Sequence, residues 1–189
     1  YIRELAAKRD APDLLGSLEF VQRAPLTAAE WTTVELLWTV GSGGMAPGGA
    51  LLIGRQLMTD HTLLQNTDPA ADGWVSVRSS APGVRFEPAT TPLGGMHGGF
   101  RRPAEMPAIR LAEGELIAGD TVTLTLGDRS GGGRGLQMQT FSTDRLLVPI
   151  YLALEEGGPL LTPAGPALQV VGREPDAFGG GAPSVGGGG

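Results

Sequence analysis

Cysteine is missing altogether from this chain of 189 residues, which excludes disulfides, thiolate nucleophiles and every zinc or iron–sulfur site built on sulfur ligands. Histidine is nearly as scarce, with His61 and His97 as the only 2. Aromatic residues make up 5%, too few to suggest a carbohydrate-stacking surface. Positive charge is the minority sign: 14 Lys and Arg stand against 20 Asp and Glu, a formal net charge of −6. That balance offers no basic footprint for a polyanion, so no nucleic acid partner is expected. No apolar run approaches the ~20 residues of a membrane-spanning helix, so membrane insertion is not expected either. No basic stretch followed by a long apolar segment opens the chain at Tyr1. No signal peptide is therefore read, a processed end or a fragment boundary is expected there, and the compartment stays open.

What the chain has in quantity is glycine, 31 residues, and proline, 15. From Ser17 onward they punctuate short runs of Val, Thr and Leu, which is the pattern of antiparallel strands and turns. In Glu30–Val40, Val34, Leu36, Trp38 and Val40 share one face of an extended segment while Thr33, Glu35 and Thr39 share the other; that two-residue period predicts a half-buried strand. In Thr121–Leu126, Val122, Leu124 and Leu126 alternate with three threonines, the cleanest strand in the chain. In Leu146–Leu154, Leu146, Val148, Ile150, Leu152 and Leu154 share a face, but Pro149 cannot donate to a ladder and is expected at an edge or bulge. Further strands are expected at 17–23, 50–57, 74–79, 84–87, 107–112, 136–142 and 167–171.

Roughly eight to ten strands at this spacing imply an all-β, antiparallel sandwich, immunoglobulin-like or related. The expected organisation is a short helix or turn over residues 1–16, a sandwich domain over 17–173, and a flexible Gly-rich tail or linker over 174–189, which lacks the apolar side chains to offset its chain entropy. The glycine-rich stretches 41–49 and 92–103 read as long flexible loops inside the domain.

Thr59-Asp60-His61-Thr62 is the most tempting chemical string, because a T-D-H after an apolar run resembles one metal-ligand motif of PHP-type phosphoesterases. A metal site needs about three protein ligands, and Asp60, His61 and His97 are the only candidates that include histidine; a loop or turn role is the expectation for Asp60 and His61. Asp60, Asp68 and Asp72 with Asn66 supply oxygen ligands of the kind calcium takes, but their spacing is not that of an EF-hand, and solvated turn carboxylates are expected. No G-x-S-x-G elbow is present for a serine hydrolase. Gly127–Gly135, with Asp128, Arg129 and Arg134, invites a phosphate-cradle reading through its glycine amides. It lacks a G-K-[ST] ending and a following helix, so a glycine-rich hairpin is expected. Met45, Met96, Met106 and Met138, with Trp31, Trp38 and Trp74, read as core and loop packing. No catalytic residue and no cofactor is assigned.

The segment Ala118–Gly135, AGDTVTLTLGDRSGGGRG, followed by Gln139-Thr140-Phe141, resembles the N-terminal β-sandwich region of large bacterial proteins of unassigned function that are related to PHP-type metal-dependent phosphoesterases. Asp68–Val77, DPAADGWVSV, is similar to a loop and strand of the same region, and the resemblance covers roughly residues 30–172. It implies that metal-binding histidines belong to a downstream catalytic domain, and that this chain is a non-catalytic accessory or interaction module whose partner is an adjacent domain or a second copy of itself. Two alternatives stay open: part of a metal-dependent hydrolase completed elsewhere, with Asp60, His61 and His97 contributing, and a structural or surface-assembly protein.

Overall fold

The computed structural model describes residues 11–56, 59–92 and 105–172. The described residues are all strand, turn and loop, without a helix. The strands are β1 (Ser17–Phe20), β2 (Leu26–Thr27), β3 (Trp31–Thr32), β4 (Val34–Thr39), β5 (Ala50–Ile53), β6 (Val75–Ser79), β7 (Arg85–Pro92), β8 (Glu105–Glu113), β9 (Thr121–Leu126), β10 (Leu136–Gln137), β11 (Thr143–Leu147), β12 (Ile150–Ala153) and β13 (Ala167–Val171).

Two four-stranded antiparallel sheets, ordered β1-β4-β9-β6 and β12-β5-β8-β7, form the sandwich. Their inward faces share one core, in which Leu36, Trp38, Val122 and Leu124 of the first sheet belong with Leu51, Ile109, Leu111 and Leu152 of the second. Two smaller sheets, β10-β3 and β11-β13-β2, complete one end, with β13 running parallel to β2 and the other pairs antiparallel.

The alternation read in the sequence places the faces of β4 and β9. Val34, Leu36 and Trp38 are buried and pair with Leu126, Leu124 and Val122, while Glu35, Leu37 and Thr39 lie half-buried on the outer face. The Trp38 indole is fully buried and donates from Nε1 to the Leu15 carbonyl at 2.7 Å. This bond satisfies a carbonyl that would otherwise be sealed from water.

Two expectations change. The Leu146–Leu154 run is two strands in different sheets, since β11 pairs with β13 whereas β12 pairs with β5. Pro149 sits at the corner between them, where its carbonyl accepts from Gly54 N at 2.7 Å; a residue without an N–H suits the point where pairing passes from one sheet to another. The 41–49 stretch is a packed crossover between β4 and β5: Met45 is buried and bridges Leu116, its N donating to the Leu116 carbonyl at 2.8 Å. A Cβ on Gly41 would collide with the backbone of Asp13 and Gly16, so glycine there serves close approach rather than freedom. Residues 11–16 form turns, with Leu14 N donating to the Ala11 carbonyl. These turns fall within the helix or turn expected over 1–16, whose residues 1–10, with the 93–103 part of the second glycine-rich loop and the tail, lie outside the described residues.

Candidate functional site

The first sheet ends where Val34, Leu126 and Val75 stand side by side. At this end the chain leaves β9 into the 127–135 loop, enters β6 from the 54–74 connection and enters β4 from β3 through Thr33. Every described candidate from the sequence lies on these connections. His97 and Met96 lie outside the described residues.

Asp60 is exposed, and both its carboxylate oxygens are taken: Oδ1 accepts from Thr140 N at 2.9 Å and Oδ2 from Thr140 Oγ1 at 2.6 Å. The Thr140 hydroxyl, then its amide, hold the carboxyl below the usual range. His61 is only 6% exposed. Its Nδ1 lies 2.8 Å from the Thr62 carbonyl, which can only accept, so Nδ1 carries the proton. Burial pushes the His61 ring below its ordinary value, against the opposing effect of the Thr62 bond. The neighbours tie the same stretch down. Arg55 Nη2 donates to the carbonyls of Thr59 and His61, and Thr59 Oγ1 donates to Gln139 Oε1 at 3.0 Å. Thr62 N donates to the Gln137 carbonyl while Gln137 N donates to Thr62 Oγ1.

Asp72 and Arg134 form the second staple. Arg134 donates to the Asp72 carboxylate from its backbone N at 2.8 Å, from Nε at 3.0 Å and from Nη2 at 2.6 Å. The guanidinium bonds, then the amide, draw the Asp72 carboxyl down. Arg134 also stacks over Trp31, with its Cζ 4.1 Å from the ring centroid, so one cation bridges two loops and an aromatic face. Asp128 is the third. Burial pushes its carboxyl up, but bonds from Ser76 Oγ and from Ser130 outweigh this and leave it below the ordinary range.

The Gly127–Gly135 segment is not a hairpin: β9 pairs with β4 and β6, whereas β10 pairs with β3. Its glycines other than Gly132 serve close packing, since a Cβ on Gly131 would collide with the Pro69 carbonyl and one on Gly133 would lie 2.6 Å from the Ala71 carbonyl. Arg129 is exposed, and its guanidinium lies against Gly135, where a Cβ would meet Nε at 2.7 Å. The loop thus presses its backbone on a neighbouring loop.

The carboxylates weighed for calcium are dispersed among different tasks: Asp60 on Thr140, Asp72 on Arg134, and Asp68 accepting from Ala70 N at 2.9 Å. Asn66 faces the other sheet and donates to the paired carbonyls of Ala89 and Ala108 at 2.8 and 2.6 Å. Among the described residues, no group of three or more His, Asp or Glu lies close enough to hold a metal ion.

Two polar residues are buried and bonded in a way their sequence positions do not indicate. Gln139, 1% exposed, links Thr59 to the Phe141 carbonyl, and Asn66, 7% exposed, locks the 59–74 loop to β7 and β8. Nothing local marks either residue, because the partners lie as far as 80 positions away. Ala29 adds a strained backbone at φ 60°, beside Gln139, whose carbonyl accepts from Ala29 N at 2.9 Å. Of the methionines and tryptophans, Met45, Met106, Met138 and Trp38 are buried, whereas Trp31 and Trp74 are half-buried at this end. No helix among the described residues is long and apolar enough to cross a membrane.

No protein-family model, no curated protein and no solved structure matches the chain.

Proposed function

We propose that the chain is a non-catalytic accessory or interaction module, a sandwich of immunoglobulin-like or related kind within a larger bacterial protein, whose partner is an adjacent domain or a second copy. One observation carries this reading: the acidic side chains with the best chemical credentials are spent on loop-to-loop bonds. Both oxygens of Asp60 accept from Thr140, both of Asp72 from Arg134, and those of Asp128 from Ser76 and Ser130. A general base or a metal ligand directs an oxygen at a reacting group or an ion, whereas every oxygen of these carboxylates is already oriented by a protein donor. Preorganised loops on a rigid sheet scaffold suit recognition, because less chain entropy remains to be lost on binding.

The test is elemental analysis of protein purified without chelator, beside phosphoesterase assays with added manganese and zinc. Less than about a tenth of an equivalent of metal and no turnover above blank are the expected outcomes. Metal near one per chain that disappears in His61→Ala would overturn the reading in favour of a metal-dependent hydrolase.

A further inference from the structure

His61 is a buried ionisable group that loop stapling does not require. Its ring borders a cavity of about 10 Å³, room for one water at most. The other walls of the cavity are apolar and include Val34, Leu126, Leu136, Met138, Leu146 and Leu168. These residues come from β4, β9, β10, β11, β13 and the segment after β10, so the ring sits where the 59–74 loop closes over the joint between the sandwich and the smaller sheets. With Nδ1–H committed to the Thr62 carbonyl, a second proton would have to go on Nε2 of a ring enclosed by hydrocarbon.

The charged groups around the ring offer little compensation. On the loop itself, Arg55 lies close, donating to the His61 carbonyl, and opposes a cationic ring. Asp60 favours a cationic ring, but its oxygens are engaged by Thr140. From β4, Glu35 lies on the outer face and pairs with Arg78. From β11, Asp144 and Arg145 are exposed. β9, β10 and β13 contribute only hydrocarbon to the cavity wall.

We propose that His61 is the latch of an acid-opened seam: protonation of its ring expels the 59–66 stretch from the cavity and uncovers the apolar faces of β10, β11 and β13 beneath. The sign follows from linkage. An expelled His61 titrates at the ordinary 6.5, whereas the enclosed ring resists protonation. The closed form is therefore fully favoured above that value and loses ground as pH falls below it. Between pH 7.5 and pH 5.5 the open population rises by up to about tenfold, the ceiling set by one group that stays neutral when closed.

Hydrogen exchange of the 59–66 amides at pH 7.5 and pH 5.5, corrected for intrinsic exchange rates, reads this opening directly. The parent is expected to open up to about tenfold more at the lower pH, with the β4 and β9 amides unchanged. His61→Asn keeps an N–H for the Thr62 carbonyl but cannot titrate, and is expected to flatten the response to less than twofold; His97→Asn is expected to retain it. A pH response that persists in His61→Asn, or that vanishes in His97→Asn, overturns the proposal. If His61→Asn does not fold, NMR titration of the parent decides: a His61 ring that titrates at about 6.5 while the loop amides stay protected also overturns it.

Discussion

Replacing Trp38 tests the packing on which the fold depends. The side chain is fully buried near the C-terminal end of β4, between Leu18 of β1 and Val122 of β9, and its indole N–H meets the Leu15 carbonyl at 2.7 Å. Trp38→Ala removes the largest side chain of the core and leaves a cavity that rigid sheets on both sides cannot close, a loss of about 3 to 5 kcal/mol. Trp38→Phe keeps most of the ring volume but strands the Leu15 carbonyl, and that unsatisfied acceptor alone costs about 1 to 3 kcal/mol. In a domain of this size about 1 kcal/mol shifts the melting temperature by roughly 2 to 4 °C, so the alanine variant is expected to melt about 6 to 20 °C below the parent. Urea and thermal unfolding followed by circular dichroism, with Trp31 and Trp74 retained as fluorescence probes, measure both variants. A Trp38→Ala loss under about 1 kcal/mol, or one matched by Thr39→Ala on the opposite face, would refute the argument.

Further expectations rest on the same geometry. Leu124→Ala is expected to cost about 2 to 5 kcal/mol and Thr123→Ala, one residue away on the outer face, under about 0.5, in denaturant unfolding of each. Gly131→Ala is expected to cost about 1 to 3 kcal/mol, because the new methyl collides with the Pro69 carbonyl and the loops must part; thermal melts check it. Ala29→Gly is expected to raise stability by up to about 1 kcal/mol by relieving a left-handed alanine, and an unchanged or lower midpoint would show that the turn carries no strain. Asp72 has its carboxyl drawn below the ordinary value by Arg134. Its contribution is therefore present above the unfolded value near 3.8 and lost as pH falls through the lower folded value. An acid-unfolding profile that is flatter below pH 4 in Asp72→Asn than in the parent is the expected signature.

Hydrophobic alternation is a local property, and what depends on it was legible in the sequence: the all-β class, the extents of β9 and β13, and the buried faces of Val34, Leu36 and Trp38 and of Val122, Leu124 and Leu126. A period of two states which side chains turn inward, but not which sheet a strand joins. Leu146 to Leu154 therefore read as one strand, and only the tertiary structure divides it at Pro149 between two sheets. Two-residue strands such as β2 are too short to carry a period, and the parallel pairing of β2 with β13 depends on a partner far along the chain. Glycine composition misleads in the same way. Around Met45 and Gly131 glycine reads as loose chain, but the folded backbone approaches other backbone too closely for a Cβ. The roles of Asp60, His61, Asn66 and Gln139 were also settled in three dimensions, because a polar group's task is set by its bonding partner. Thr140 lies 80 residues from Asp60, and the wall around His61 is assembled from five strands and the segments between them, so burial and hydrogen bonding became definite only once the chain had folded.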